Sequence, residues 1–223
     1  NKTPKATYAA MISYLDEQVG ELVEKLKEIN QYENTLIIFT SDNGPTWVDH
    51  VDYNFFNSTG KFVNSRFTMK GSVQEGGIRV PMIASWPKKI KPSSSSDHIS
   101  AFYDFFATAC EIAGDKNCEE TDGISFLPEL LGLKQTKHDY LYWEYPASKG
   151  LQAIRMGKWK GIKRNLFKTN SKLELYDLDM DEKELNDVAN LNPKVVDQME
   201  AKLKEAHSTP FLKEFIIPNL EQD

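Results

Sequence analysis

The sequence lacks the features that mark several broad classes of protein. Its 223 residues carry 27 Lys and Arg against 33 Asp and Glu, a formal net charge of −6, which argues against nucleic-acid phosphate as the main ligand. No uninterrupted apolar run approaches the roughly 20 residues of a membrane span, so we expect no transmembrane segment. There is also no charged-then-apolar secretory signal at the start, and residue 1 is Asn. We therefore expect a processed product or a piece of a longer protein.

Cysteine and zinc-site patterns are nearly absent as well. Cys110 and Cys118 are the 2 cysteines of the chain, and a zinc site would need more Cys or His close to them. They either close a small loop or pack as inert thiols. A chain of this size buries roughly 70% of its unfolded surface, so a core needs neither metal nor disulfide support.

The first 135 residues alternate between helical and strand patterns. Apolar residues recur every three or four positions from Met11 to Ile29, which predicts an amphipathic helix. The apolar run 35–40 is typical of a strand buried on both faces of a parallel sheet, and a second buried strand is predicted at 80–86. A further helical stripe over 102–112 stops at Gly114. Helix followed by strand indicates an α/β architecture.

The remaining residues have the pattern of a small antiparallel sheet with a helix. Strands are predicted at 141–145, 152–163 and 173–178, with Gly157 able to turn the middle run into a hairpin. Asn192-Pro193 is a typical helix start. We place a domain boundary near residue 135, with residues 1–135 in the α/β domain and 136–223 in the subdomain.

The long loop between the two first strands carries the candidate site residues. Asp42 and Asn43 directly follow a strand, where ligands gather in open α/β sheets, and they offer hard oxygen donors suited to Ca²⁺ or Mg²⁺. The alternative is a plain turn, because Asp-Asn-Gly-Pro is rich in turn formers.

A second cluster precedes the strand at 80–86. Lys70 beside Gly71 could bring an ammonium to a bound oxyanion, whereas most lysines are simply solvated. We interpret Arg79 as the structural partner of a buried carboxylate. Weaker candidates for substrate contact are two histidines, four loop aromatics and two charged residues of the subdomain: His50, His138, Trp47, Tyr53, Phe55, Phe56, Glu144 and Arg155.

Taken together, these strings resemble the type I, formylglycine-dependent sulfatases of the alkaline phosphatase superfamily. The resemblance rests on LIIFTSDNGP at 36–45, KGSVQEGGIRVP at 70–81, and LYWEY, QAIRMGKWK and ELYDL at 141–145, 152–160 and 174–178. It implies an alkaline-phosphatase-like mixed sheet sandwiched by helices, here truncated, followed by a small antiparallel α+β subdomain.

The resemblance also implies roles for three residues. Asp42 and Asn43 would ligate a Ca²⁺ that holds the sulfate group, and Lys70 would contact a sulfate oxygen. Related metalloenzymes commonly have His where Asn43 stands, which suits zinc, so Asn43 favours a hard, oxygen-liganded cation, with Mg²⁺ second to Ca²⁺. The substrate would be a sulfated small molecule or glycan, and the parent protein would be periplasmic, extracellular or lysosomal.

One departure from the family is large. Neither cysteine stands in the Cys/Ser-x-Pro-Ser/Ala-Arg string that yields formylglycine, so the nucleophile is missing and we expect the isolated chain to be inactive. We also expect self-association through exposed sheet edges. The alternatives are a phosphate or phosphonate hydrolase of the same superfamily and a non-enzymatic module that binds a sulfated glycan.

Overall fold

The computed structural model describes residues 3–48, 51–115 and 121–221, which form two compact units. Unit 1 is Asn1–Thr40 with Pro81–His138, and unit 2 is Ser41–Val80 with Asp139–Asp223. Residues 41–80 thus group with the C-terminal segment, and the domain boundary near residue 135 stays a prediction. The helices and strands are α1 Pro4–Glu28, β1 Ile37–Thr40, α2 Tyr53–Phe56, α3 Glu75–Ile78, β2 Met82–Ser85, α4 Asp104–Ala113, α5 Leu127–Leu130, β3 Leu141–Tyr145, β4 Leu151–Met156, β5 Trp159–Arg164, β6 Leu173–Asp177 and α6 Pro193–Ala206.

The strand pair of unit 1 differs from its prediction. β1 and β2 run antiparallel, with Ile37 opposite Ser85 and Thr40 opposite Met82. Phe39 is 42% exposed and Ile83 65% exposed, so the expectation of strands buried in a parallel sheet is wrong for the described residues. A short apolar run indicates a strand without indicating its partner or direction, and this is why the sequence pattern misled.

A buried carboxylate organises the rest of unit 1. Asp104 is fully buried, and its oxygens accept hydrogen bonds from the backbone nitrogens of Ala101 (2.7 Å) and Ile124 (2.9 Å). The Nε2 of His138 lies 2.7 Å from the same carboxylate, so this histidine has a structural partner. Gly114 ends α4 in the left-handed conformation, as predicted. Cys110 is disulfide-bonded, whereas Cys118 and His50 lie outside the described residues.

Unit 1 leaves much of its apolar surface exposed. Among the described residues, Phe126 is the one buried apolar side chain that it contributes to the core. The helix α1 confirms the predicted helix, yet it buries no residue, and Met11 is 63% and Leu22 55% exposed. Exposed apolar stripes of this kind are typical of interaction surfaces and of sites of aggregation.

We expect the purified 223-residue chain to self-associate and to bind a hydrophobic dye, because this stripe and the short β1–β2 pair are uncovered. Replacing Leu15 and Leu22 of α1 together by Gln should lower both dye binding and the sedimentation coefficient. Lys25→Gln on the same helix is the matched control and should change neither. A clean monomer with low dye binding for the unmodified chain would contradict the expectation.

Unit 2 is built on an antiparallel meander in the order β3-β4-β5-β6. The predicted strands and the hairpin at Gly157, which has a positive φ of 57°, are confirmed. The helix α6 begins at Pro193 as predicted, although the Asn192 side chain donates to Val188 O at 3.0 Å and does not cap the helix. No helix in the described ranges is long and apolar enough to cross a membrane.

Both faces of the four-stranded sheet are covered. Met199 and Leu203 of α6 pack against Ile154 on one face. On the other face, Val73 from the 41–80 segment packs against Ala153 and Ile162. The period-2 alternation of β4 therefore serves two cores, and the second core fixes the loop that carries Lys70 to a rigid sheet.

Candidate active-site loops

The Asp42-Asn43 segment is a compact turn that presents two side-chain oxygens. Asp42 is exposed, and its Oδ1 accepts a hydrogen bond from Asn43 N at 3.0 Å. Asn43 is half-buried and donates through Nδ2 to Gly44 O at 2.8 Å, so the atom it offers to a cation is its amide oxygen. These local bonds are typical of Asx turns, so turn formation and metal ligation are compatible here.

Three glycines let this turn lie against the Lys70 loop. Gly44 N donates to Gly77 O at 2.8 Å, and a Cβ added at Gly44 would lie 1.9 Å from Gly76 O. A Cβ at Gly76 would lie 2.7 Å from Thr68 O, and one at Gly77 would lie 2.5 Å from Ser72 O. Distances this short leave no room for a side chain. Glycine is required at these positions because the backbones approach each other closely.

Lys70 is tied to the same turn through its backbone. Its N donates to Pro45 O at 3.1 Å, and the indole Nε1 of Trp47 donates to Lys70 O at 3.0 Å. The Lys70 side chain is exposed. The structure thus brings the backbones of the two candidate segments together, while the ligand roles of Asp42, Asn43 and Lys70 stay predictions. Trp47, a weaker candidate for substrate contact, thereby contributes to the packing of this loop.

The oxygen donors of Asp42 and Asn43 fit part of the coordination sphere of a calcium ion. Among the residues that the structure describes, no three His, Cys, Asp or Glu side chains group as a metal site. Asp42 and Asn43 supply two hard oxygen donors, whereas Ca²⁺ takes about six to eight oxygen ligands. The remaining ligands would have to be water, substrate or residues outside this group.

A buried cluster of charged residues connects the segment that follows Lys70 to strand β5. Lys160 of β5 is fully buried, and its Nζ lies 2.7 Å from Glu75 Oε1 and 2.9 Å from Glu184 Oε1. Glu75 N also donates to Glu184 Oε2 at 2.8 Å. Sequence reasoning missed this cluster. The available signal was Lys160 itself, which occupies the same inward face of β5 as the core residue Ile162.

Burial and the charges of this cluster shift the pKa values of two carboxyl groups in opposite directions. Burial alone would raise the pKa of Glu75, but Lys160, Arg155 and Arg79 outweigh it and hold that pKa below its usual value. For Glu184 burial prevails over the attraction of Lys160, and its pKa is raised. Arg79 Nη1 lies 3.3 Å from Glu75 Oε2, so the interpretation of Arg79 as a structural partner is confirmed. Arg155 lies 3.8 Å from the same oxygen and is an ion-pair partner too.

Comparison with known proteins identifies the family. Residues 2–115 match the sulfatase family, and residues 61–209 match the family described as N-sulphoglucosamine sulphohydrolase, C-terminal. The chain belongs to the sulfatase family. It is 30% identical over 217 residues to an N-acetylgalactosamine-6-O-sulfatase of Bacteroides thetaiotaomicron, covering 89% of this chain and 41% of that protein. It is 35% identical over 144 residues to an ulvan-active sulfatase of Formosa agariphila, covering 64% of this chain and 24% of that one. The sulfatase chain described here therefore spans less than half the length of these relatives.

Solved structures agree with this assignment. The crystal structure of Ps i-CgsB superposes with a TM-score of 0.74 at 33% identity, covering 92% of this chain and 43% of that one. The structure of BT4656 in complex with its substrate D-glucosamine-2-N,6-O-disulfate gives a TM-score of 0.70 at 26% identity, covering 97% and 42%. The predicted α/β, alkaline-phosphatase-like fold class is confirmed.

Proposed function

We propose that this sulfatase chain is the C-terminal part of an enzyme that hydrolyses sulfate esters on carbohydrates. Its relatives are named for such substrates, among them an N-acetylglucosamine-6-O-sulfatase of Bacteroides thetaiotaomicron that is 30% identical over 190 residues. The match to a C-terminal sulphohydrolase family over residues 61–209 supports the position of the chain within the enzyme. The observation that carries the proposal is the backbone contact between the Asp42-Asn43 turn and the Lys70 loop.

We assign Asp42 and Asn43 to Ca²⁺ and Lys70 to a sulfate oxygen. When bound, calcium would supply positive charge beside the sulfate. The nucleophile would be a formylglycine, and this chain lacks the sequence motif that yields one. Negative charge accumulates on the ester and sulfate oxygens as the S–O bond breaks. An exposed ammonium on a loop that is fixed to the sheet stabilises that charge with little rearrangement.

The 223 residues alone should not turn over a sulfate ester. Their sequence holds no Cys/Ser-x-Pro-x-Arg string, and Cys110 is disulfide-bonded. That disulfide also supports an oxidising location, periplasmic, extracellular or lysosomal, for the parent protein. Recovery of the protein in the cytoplasm alone, with Cys110 reduced, would contradict this location.

The test compares this chain with a complete polypeptide that contains it together with a formylglycine segment. The substrates are a 6-O-sulfated N-acetylhexosamine, a phosphate monoester and a phosphonate monoester, each with calcium or with a chelator. We expect calcium-dependent sulfate release by the complete polypeptide and none by the 223 residues. Sulfate release by the short chain would overturn its inactivity. Faster, zinc-dependent phosphonate hydrolysis would favour the phosphonate hydrolase, and metal-independent glycan binding without turnover would favour the binding module.

A further inference from the structure

A cleft of about 510 Å³ in unit 2 is not used by the sulfate site described above. Strand β3 and the two residues after it form one wall, and the segment that follows α6 forms the other. Tyrosine, phenylalanine and proline side chains dominate the lining, and none of the lining residues that the structure describes carries a positive charge. The volume is within the range of roughly 300–1,000 Å³ that is usual for small-molecule sites. The residues that the argument uses are Tyr142, Glu144, Tyr145, Ser208 and Phe215.

The carboxylate of Glu144 is held in place at this cleft. Its Oε2 accepts a hydrogen bond from the Tyr142 hydroxyl and lies 2.9 Å from Nδ1 of His207. The Nε2 of His207 in turn lies 3.1 Å from Glu221 Oε1. The side chain of Glu144 keeps 16% of its surface exposed, so the group is anchored and still reachable from the cleft. The contact between His207 and Glu144 connects β3 to the segment that carries Ser208.

The cleft is adjacent to the Lys70 loop. Tyr145 lines the cleft, and its hydroxyl lies 3.6 Å from the position of a Cβ added to Gly71, the residue after Lys70. All of these residues belong to unit 2. Tyr145 therefore lies where the cleft meets the loop that carries Lys70.

The geometry points to a binding site for a neutral sugar unit that neighbours the sulfated unit of the substrate. Flat aromatic side chains such as Tyr145 and Phe215 receive the apolar C–H face of a sugar ring. Glu144 accepts a hydrogen bond from a ring hydroxyl, and Ser208 offers a further polar contact. Two carboxylates, those of Glu144 and Glu221, flank one imidazole, so the site is net negative and disfavours a sulfated or uronic unit. The link to the sulfated unit rests on the proposed function, whereas sugar binding itself does not.

The test uses the 223-residue protein in calcium-free buffer, so that it does not depend on sulfatase activity. Lactose, cellobiose and cellobiouronic acid are titrated, the last of which differs from cellobiose by a carboxylate in place of a hydroxymethyl group. Binding is followed by NMR signals of the cleft tyrosines. We expect at least one neutral disaccharide to bind at millimolar concentration, and cellobiouronic acid to bind more weakly than cellobiose.

Variants then localise the binding. Tyr145→Ala and Phe215→Ala should each weaken it by about tenfold, the loss of one aromatic contact. Phe167→Ala removes an exposed aromatic side chain of unit 2 outside the cleft and should have no effect. Failure of both neutral sugars to bind, tighter binding of the uronic sugar, or equal effects of all three variants would each overturn the proposal. If sulfate hydrolysis by the complete polypeptide then still occurred, the proposed function would stand without this subsite.

Discussion

Lys160→Met is expected to lower the free energy of unfolding of unit 2 by about 3–5 kcal/mol at pH 7. The Lys160 ammonium is fully buried and compensates two carboxylates, Glu75 at 2.7 Å and Glu184 at 2.9 Å, whose side chains are 3% and 2% exposed. Methionine has a similar length but leaves both carboxylates buried without their main counter-charge. Urea unfolding followed by tryptophan fluorescence measures the loss, because Trp159 lies next to residue 160 in β5.

Lys158→Met provides the matched control for this prediction. Lys158 also pairs with a carboxylate, Asp177, but its own side chain is 43% exposed. Exposed pairs contribute about 0–1 kcal/mol, so this variant should unfold almost as the unmodified protein does. If the two substitutions lowered stability equally, the buried cluster would have no special role.

The pH dependence of the free energy of unfolding provides a second test of this prediction. In the unmodified protein, the lowered pKa of Glu75 contributes stability that is present above its unfolded pKa and is lost as the pH falls through the folded value. The raised pKa of Glu184 acts in the opposite sense and lowers stability as the pH rises from its unfolded to its folded value. Without Lys160 the pKa values of both carboxyl groups would rise from their values in the unmodified protein, and protonation would favour the folded variant. The stability difference between Lys160→Met and the unmodified protein should therefore shrink from pH 8 to pH 5.

Local patterns predicted the four strands and the helix α6 of unit 2 because each of these elements is encoded by neighbouring residues, whereas the short helices α2 and α3 in the 41–80 segment were not predicted. Alternation over β4, the positive φ available to Gly157 and the proline at position 193 fix strands, turn and helix start without reference to the rest of the chain. The antiparallel pairing of β1 with β2 depends on residues more than 40 positions apart, and no local period encodes it. The Glu75–Lys160 contact, with a sequence separation of 85, escaped prediction for the same reason.

The candidate site was predictable in part. Asp42, Asn43 and Lys70 can be nominated from short strings, since their side chains carry the required chemistry. Their mutual placement depends on the close contact of Gly44 with Gly76, which becomes visible only when the backbones are built. Glu144 was a candidate for substrate contact, but no spacing of residues in the sequence supported it. In the structure, Tyr142 and His207 contact its carboxylate and give it a defined position.

Lys70→Ala, made in a complete polypeptide that contains this chain, is expected to lower kcat/KM for a sulfated sugar by about 10²–10³. The Lys70 backbone is fixed by bonds to Pro45 and Trp47, so the substitution removes the ammonium and leaves the loop in place. Since the charge to be stabilised develops as the ester bond breaks, most of the loss should appear in kcat.

Two further variants separate the charge from its position. Lys70→Arg keeps a positive charge but presents a larger planar group, so it should restore only part of the activity. Lys168→Ala removes an exposed lysine elsewhere in unit 2 and should leave kcat/KM unchanged. A fully active Lys70→Ala enzyme would mean that the loop positions other groups, whereas a loss confined to KM would mean that Lys70 holds the substrate equally before and during bond breaking. Only a kcat loss that Lys70→Arg partly reverses fits an ammonium placed where the leaving sulfate gains its charge.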